Sequence, residues 1–169
     1  MHPGTLMNAL TALTLTATPA MAQETAVEAI LQADRDFAAM AAETGPGPAF
    51  EAYMDDVDGR LIRGTADALV GSAEIRGAFD AWPEGILLHW EPLEGFASEG
   101  GDFGVTWGLW SLHPDGDRAS APAGRGTYVT VWRQDEAGNW RGLLDMGTND
   151  PSYRPEAPEA DSQSAPEDD

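Results

Sequence analysis

The stretch "GTYVTVWRQDEAGNWRGLLDMGT", residues 126–148, decides the fold. Its two halves are rich in Thr, Val, Trp and Leu and carry the period-two pattern of strands. The polar "DEAGN" at 135–139 between them reads as a hairpin turn. Working backwards, Phe103 to His113 and Ile86 to Ser98 have the same character, joined by the turn "SEGGD" at 98–102. The long segment "PDGDRASAPAGR", 114–125, connects the inner strands. Four strands are expected: Ile86–Ser98, Phe103–His113, Gly126–Gln134 and Trp140–Thr148.

Upstream of Ile86 the period is helical. At 100° per residue, Val27, Ile30, Leu31, Phe37, Ala38 and Ala41 form one apolar stripe, which predicts a helix over Thr25–Glu43. Asp34 falls in the middle of that stripe, whereas Asp36 points away. "GPGP" at 45–48 ends the helix, and Ala49–Met54 supplies a turn or two of a second. "DDVDGRLIRG", 55–64, reads as an acidic turn and a short strand. Asp56, Asp58 and Gly59 lack the closing Glu of a calcium loop. Ser72 opens a third helix carrying Ile75, Ala78, Phe79 and Trp82 on one face, and Pro83 stops it. Helices first and antiparallel strands afterwards imply an α+β domain with helices on one face of a curved sheet.

The chain ends differ from this body. Residues 1–22 contain no Asp, Glu, Lys or Arg, and Leu6–Ala17 is an apolar and small-polar run too short for a membrane span, which takes roughly 20 residues. With "AMA" before Gln23 the segment fits a secretory signal cut between Ala22 and Gln23, hence a periplasmic or secreted protein. The alternative is an ordinary N-terminal helix. Residues 151–169 hold four prolines and six acids against one Arg, the composition of a disordered acidic tail. Residues 23–150 remain as one domain.

Among 169 residues there is no cysteine, so disulfides and thiolate chemistry are excluded. A formal charge of −20 disfavours nucleic acid and anionic membrane as partners. His89 and His113 have no carboxylate at ligand spacing, which argues against a metal site. "SEGGD" lacks the strand–loop–helix context of a phosphate cradle, and no cofactor is expected.

The order helix–helix–strand–helix–long meander resembles the nuclear transport factor 2-like superfamily. "ADRDF" (33–37) and "GSAEIRGAF" (71–79) are similar to the first and third helices of its SnoaL-like and ketosteroid-isomerase-like branches. "HWEP" (89–92), "SEGGDFGVTWG" (98–108), "GTYVTVWR" (126–133) and "NWRGLLDMGTNDP" (139–151) resemble the meander of an uncharacterised, exported bacterial type. The resemblance covers Val27–Pro151. It implies a cone-shaped roll: a strongly curved antiparallel sheet wrapped around three N-terminal helices, with a pocket between them. It departs in "GRLIRGTADALVGSAEI" (59–75), where the family has a longer strand.

The same resemblance implies that the last strand lines the cone, with Asp145 facing inward beside Leu143 and Gly147. A carboxylate in an apolar pocket has its pKa raised by desolvation and suits a general base. The alternative is a buried salt bridge to Arg63, Arg125 or Arg141. Related enzymes place a polar group, often Tyr, near the helix position of Asp34. An Asp there either shares a proton with Asp145 or accepts a structural hydrogen bond from backbone or a Trp N–H. Tyr53, Trp90, Trp107, Tyr128 and Trp132 are candidate pocket walls for a flat apolar ligand, or else core or dimer face. Three functions follow: a periplasmic domain binding a small apolar or amphipathic molecule without established turnover; an isomerase, cyclase or hydrolase using Asp145 as base, with Tyr128, Trp90 or protonated Asp34 steadying an oxyanion; or a non-catalytic module dimerising through its sheet, as members of the superfamily commonly do.

Overall fold

A computed structural model describes residues 19–64 and 67–155. The expected leader lies outside the described residues up to position 18, and so does the acidic tail from position 156. Helix α1 runs Pro19–Thr44 and helix α2 Pro46–Tyr53. Strands β1 (Arg60–Arg63) and β2 (Leu69–Val70) precede the short helix α3 (Ser72–Gly77). Four long strands follow: β3 (Leu87–Ala97), β4 (Phe103–His113), β5 (Gly124–Gln134) and β6 (Trp140–Asn149). They form one curved, unclosed sheet in the order β2-β1-β6-β5-β4-β3.

The four expected strands are present to within two residues at each end, joined in sequence as antiparallel neighbours. Two features are new. The segment before α3 pairs after all, with β1 running parallel to β6 and β2 antiparallel to β1. Two bulges also interrupt the ladders, one between Pro92 and Glu94 and one opposite Val131 and Trp132. At the second, the partner residue steps from Leu144 to Gly142, so Leu143 is the extra residue. A bulge breaks the strict alternation of faces and sharpens the local bend.

Helix α1 begins six residues before the expected start. It lies across β3 and the adjoining part of β4, its apolar stripe turned to the sheet. Two glycines permit that approach. A side chain at Gly104 would sit 2.7 Å from Ile30 Cδ1, and one at Gly95 would sit 3.2 Å from Leu31 Cγ. Gly45 separates the two helices at φ 88°, a conformation that costs an L side chain but not glycine. Pro46 then opens α2, a position where its missing N–H is no loss. The third helix is shorter than expected because Gly77 ends it, and Ala78–Trp82 continue as turns.

Phe37 is the centre of the core between helices and sheet. Its ring meets Phe50 at 4.8 Å and Trp90 at 4.7 Å edge-on, and stacks on Tyr53 at 5.0 Å. Ile30, Met54, Ile75 and Trp132 are fully buried around it. Truncating an aromatic at such a site typically costs about 3–5 kcal/mol. The body continues past Asp150, since the Tyr153 hydroxyl donates to the Pro122 carbonyl and its ring stacks on Arg125. No described helix is long and apolar enough to cross a membrane.

Candidate functional site

Between the helices and the inner face of the sheet lies a cavity of about 330 Å³. Its walls are aromatic: Phe50, Phe79, Trp82, Trp90, Trp110 and Tyr128. The polar groups are few, namely Asp145 on the wall and Arg63 and Asn149 near the strand ends. A mostly apolar hollow with a small number of placed polar groups is the usual form of a small-molecule site.

Asp145 reaches it because β6 is the third strand of the sheet, paired on both edges. Leu61 of β1 stands on one side and Thr130 of β5 on the other. Its side chain is buried and accepts one hydrogen bond, from Thr130 Oγ1 at 2.7 Å. The alternative of a buried salt bridge is corrected by the arginines themselves. Arg125 pairs with Asp150 at 3.1 Å, Arg141 with Asp135 at 3.3 Å, and Arg63 lies over the Phe79 ring at 5.2 Å. Among the described residues Asp145 has no cationic partner. Burial therefore dominates and pushes its carboxyl up to about 7; the Thr130 hydrogen bond opposes this and the charge of Asp34 adds to it.

Asp34 occupies a different position. It is fully buried in α1 and does not line the cavity. Trp90 Nε1 donates to its Oδ1 at 2.9 Å, and the Tyr128 hydroxyl donates to its Oδ2 at 2.9 Å. Burial raises its pKa, while Thr106, Trp90 and Tyr128 hold it down in part. No hydrogen bond joins Asp34 to Asp145, and the two interact through the field between them. Burial and the Asp34 charge together push the Tyr128 phenol well above its ordinary range, so Tyr128 is a neutral donor at any working pH.

Of the aromatic candidates, Trp90 and Tyr128 line the cavity and three do not. Trp107 projects from the outer face of the sheet, where its Nε1 donates to Glu94 Oε2 at 3.1 Å. Trp132 is fully buried in the core and donates to Thr106 Oγ1 at 2.8 Å. Tyr53 is stacked on Phe37 outside the cavity. Trp82, expected on one face of the third helix, and Trp110, which the sequence did not single out, take their places. Trp110 shares its strand face with Gly108 and Leu112, opposite to Trp107, and that parity was the available signal.

The fold brings the two histidines, 24 positions apart in sequence, close together. The register places His89 opposite Ser111, two residues from His113 on the same outer face. Both line a second hollow under the β4–β5 loop with Arg118 and Arg125. His89 Nε2 and His113 Nδ1 are buried without a hydrogen-bond partner among the described residues. Burial and then the Arg118 charge depress the His89 pKa. No group of three metal-binding side chains occurs among the described residues.

No protein-family model matches the sequence, and no curated protein sequence matches it significantly. Solved structures do match. An NTF2-like protein with a cystatin-like fold from Novosphingobium aromaticivorans superposes with a TM-score of 0.60 at 14% identity, covering 75% of this chain and 82% of that one. An NTF2-like protein from Pseudomonas putida KT2440 gives 0.60 at 15% identity, covering 74% and 87%. A ketosteroid isomerase-like protein from Erwinia carotovora atroseptica gives 0.58 at 16% identity, covering 73% and 95%. The chain thus has the NTF2-like, cone-shaped α+β fold. At these identities the likeness concerns the fold alone.

Proposed function

We propose that this is a ligand-binding domain that takes one small apolar or amphipathic molecule into the cone. The observation that carries this reading is the pairing of an aromatic cavity of about 330 Å³ with a single, ion-free carboxyl in its wall. Aromatic walls supply the burial energy, and Asp145 with Thr130 supplies one oriented polar contact. The test is titration with 2-tetralone, a compact apolar ketone, followed by tryptophan fluorescence. One saturable site is expected in the wild type, and its loss in Leu88→Trp, which fills the hollow. A wild type that shows no saturable binding overturns the proposal.

A second reading is favoured by the raised Asp145 pKa. A carboxylate poised near neutrality would take a proton from the carbon beside a carbonyl, leaving an enolate and a neutral acid that returns the proton. Trp90 and Tyr128 weigh against it, because both donate to Asp34 and are committed before an oxyanion arrives. Hydrogen–deuterium exchange at the α-carbon of 2-tetralone decides between the two. Exchange above the buffer rate that disappears in Asp145→Asn supports catalysis; equal rates in both proteins leave binding alone.

We also infer a second copy of the chain on the outer sheet face. Leu93, Phe96, Phe103, Trp107 and Leu109 are all exposed there, and an apolar face of this extent ordinarily covers something. The uncharged, apolar leader of the sequence supports export to the periplasm as the place where this happens. Fractionation of cells making the full chain tests that point: processed protein in the periplasm supports it, and full-length protein in the cytoplasm refutes it.

A further inference from the structure

We infer that the cone selects an amphipathic anion, held at the mouth by Arg63. The inference rests on the ligand-binding reading and names the class of ligand. The protein carries 29 acidic side chains and nine arginines. Among the described residues five of the nine pair with a carboxylate, namely Arg76, Arg118, Arg125, Arg133 and Arg141, while Arg35, Arg60 and Arg154 donate only to Gln32 or to backbone carbonyls. Arg63 is the remaining one: among the described residues it has neither an ion pair nor a hydrogen bond, and its guanidinium leans on the Phe79 ring in the cavity wall.

Its placement is set by the parallel pairing of β1 and β6. Leu61 stands opposite Asp145, and Arg63 opposite Gly147. Arg63 therefore lies two residues nearer the strand ends than Asp145, about 7 Å along the sheet. It faces the same side as buried Leu61, toward the hollow, while remaining exposed to solvent. Asn149, the last residue of β6, lies at the same end and offers an amide. The hollow is thus polar at two points separated by an aromatic body: one carboxyl inside, and one cation with an amide outside.

A ligand that satisfies both has an apolar middle, a carbonyl or hydroxyl at the inner end and a carboxylate, or another oxyanion, at the outer end. The guanidinium matches a carboxylate with two parallel N–H donors. The overall charge of the protein repels anions at long range. Selectivity for one therefore needs a local, unpaired cation, and Arg63 provides it. A neutral ligand of the same shape would gain the walls and Asp145 but not this contact.

The test uses 6-hydroxy-2-naphthoate and its neutral carboxamide as probes, with isothermal titration at pH 7 and low salt. The wild type is expected to bind the carboxylate about ten-fold more tightly than the amide. Arg63→Gln should abolish that preference by weakening the carboxylate alone, and added salt should do the same in part. Arg63→Lys should keep some of it, which separates charge from packing on Phe79. A preference unchanged in Arg63→Gln, or an amide that binds the wild type as tightly as the acid, overturns the inference while leaving the cavity as a binding site. Failure of both probes to bind a wild type that binds 2-tetralone overturns this inference alone, whereas failure of 2-tetralone as well overturns the binding reading with it.

Discussion

The Tyr128 hydroxyl donates to Asp34 Oδ2 at 2.9 Å, joining the middle of β5 to the middle of α1. With Trp90 on the other oxygen, the contact fastens helix to sheet behind the aromatic wall. A buried carboxylate that loses a donor keeps its desolvation cost, so Tyr128→Phe and Trp90→Phe should each destabilise by about 1.5–3 kcal/mol in urea unfolding. Losing a donor also raises the Asp34 pKa further, so the cost should be larger at pH 8 than at pH 5. Equal stability of Tyr128→Phe and wild type at both pH values would show that the bond holds nothing.

Asp145 makes the opposite prediction. Its folded pKa, about 7, lies above its ordinary value of 3.8. The folded protein therefore binds this proton more tightly than the unfolded chain. The resulting stability is present in full below about pH 3.8 and is lost as pH rises to about 7, a span worth at most about 4 kcal/mol. Asp145→Asn keeps an acceptor for Thr130 and removes the charge. Thermal unfolding should find it more stable than wild type at pH 8 and close to wild type near pH 4. A variant that is less stable at pH 8 would mean that the carboxylate has a partner.

Phe96 and Leu109 are 56% and 51% exposed on the outer sheet face. Replacing both with Asp should leave the fold of one chain within about 0.5 kcal/mol of wild type, because neither supports its core. In sedimentation velocity the wild type should run as a dimer and the double variant as a monomer. A wild type that sediments as a monomer at tens of micromolar would remove the proposed self-association.

The elements were legible where local signals agreed. β4 has the bounds its alternation predicts, and α1 shows the expected stripe with Asp34 at its centre. The site was less legible because it depends on register. That Thr130 stands opposite Asp145 follows from the β5–β6 ladder, which a bulge at Leu143 shifts by one residue. A strand's own sequence shows that Trp107 and Trp110 face opposite ways, but not which of them faces in. Trp132 has the inward parity of Tyr128, yet it sits beyond the bulge against Phe37 in the filled part of the cone. The parallel pairing of β1 with β6, which brings Arg63 to the cavity, joins segments some eighty residues apart and leaves no local trace.

The central claim is that the final long strand turns a buried carboxyl, without a cationic partner among the described residues, into an aromatic hollow. Carbon-13 NMR titration of the Asp145 carboxyl measures this directly, with Asp145→Asn to assign the signal. A midpoint near 7 is the predicted result. A midpoint at or below the ordinary 3.8 would place that carboxyl in water or beside a cation, and would contradict the account.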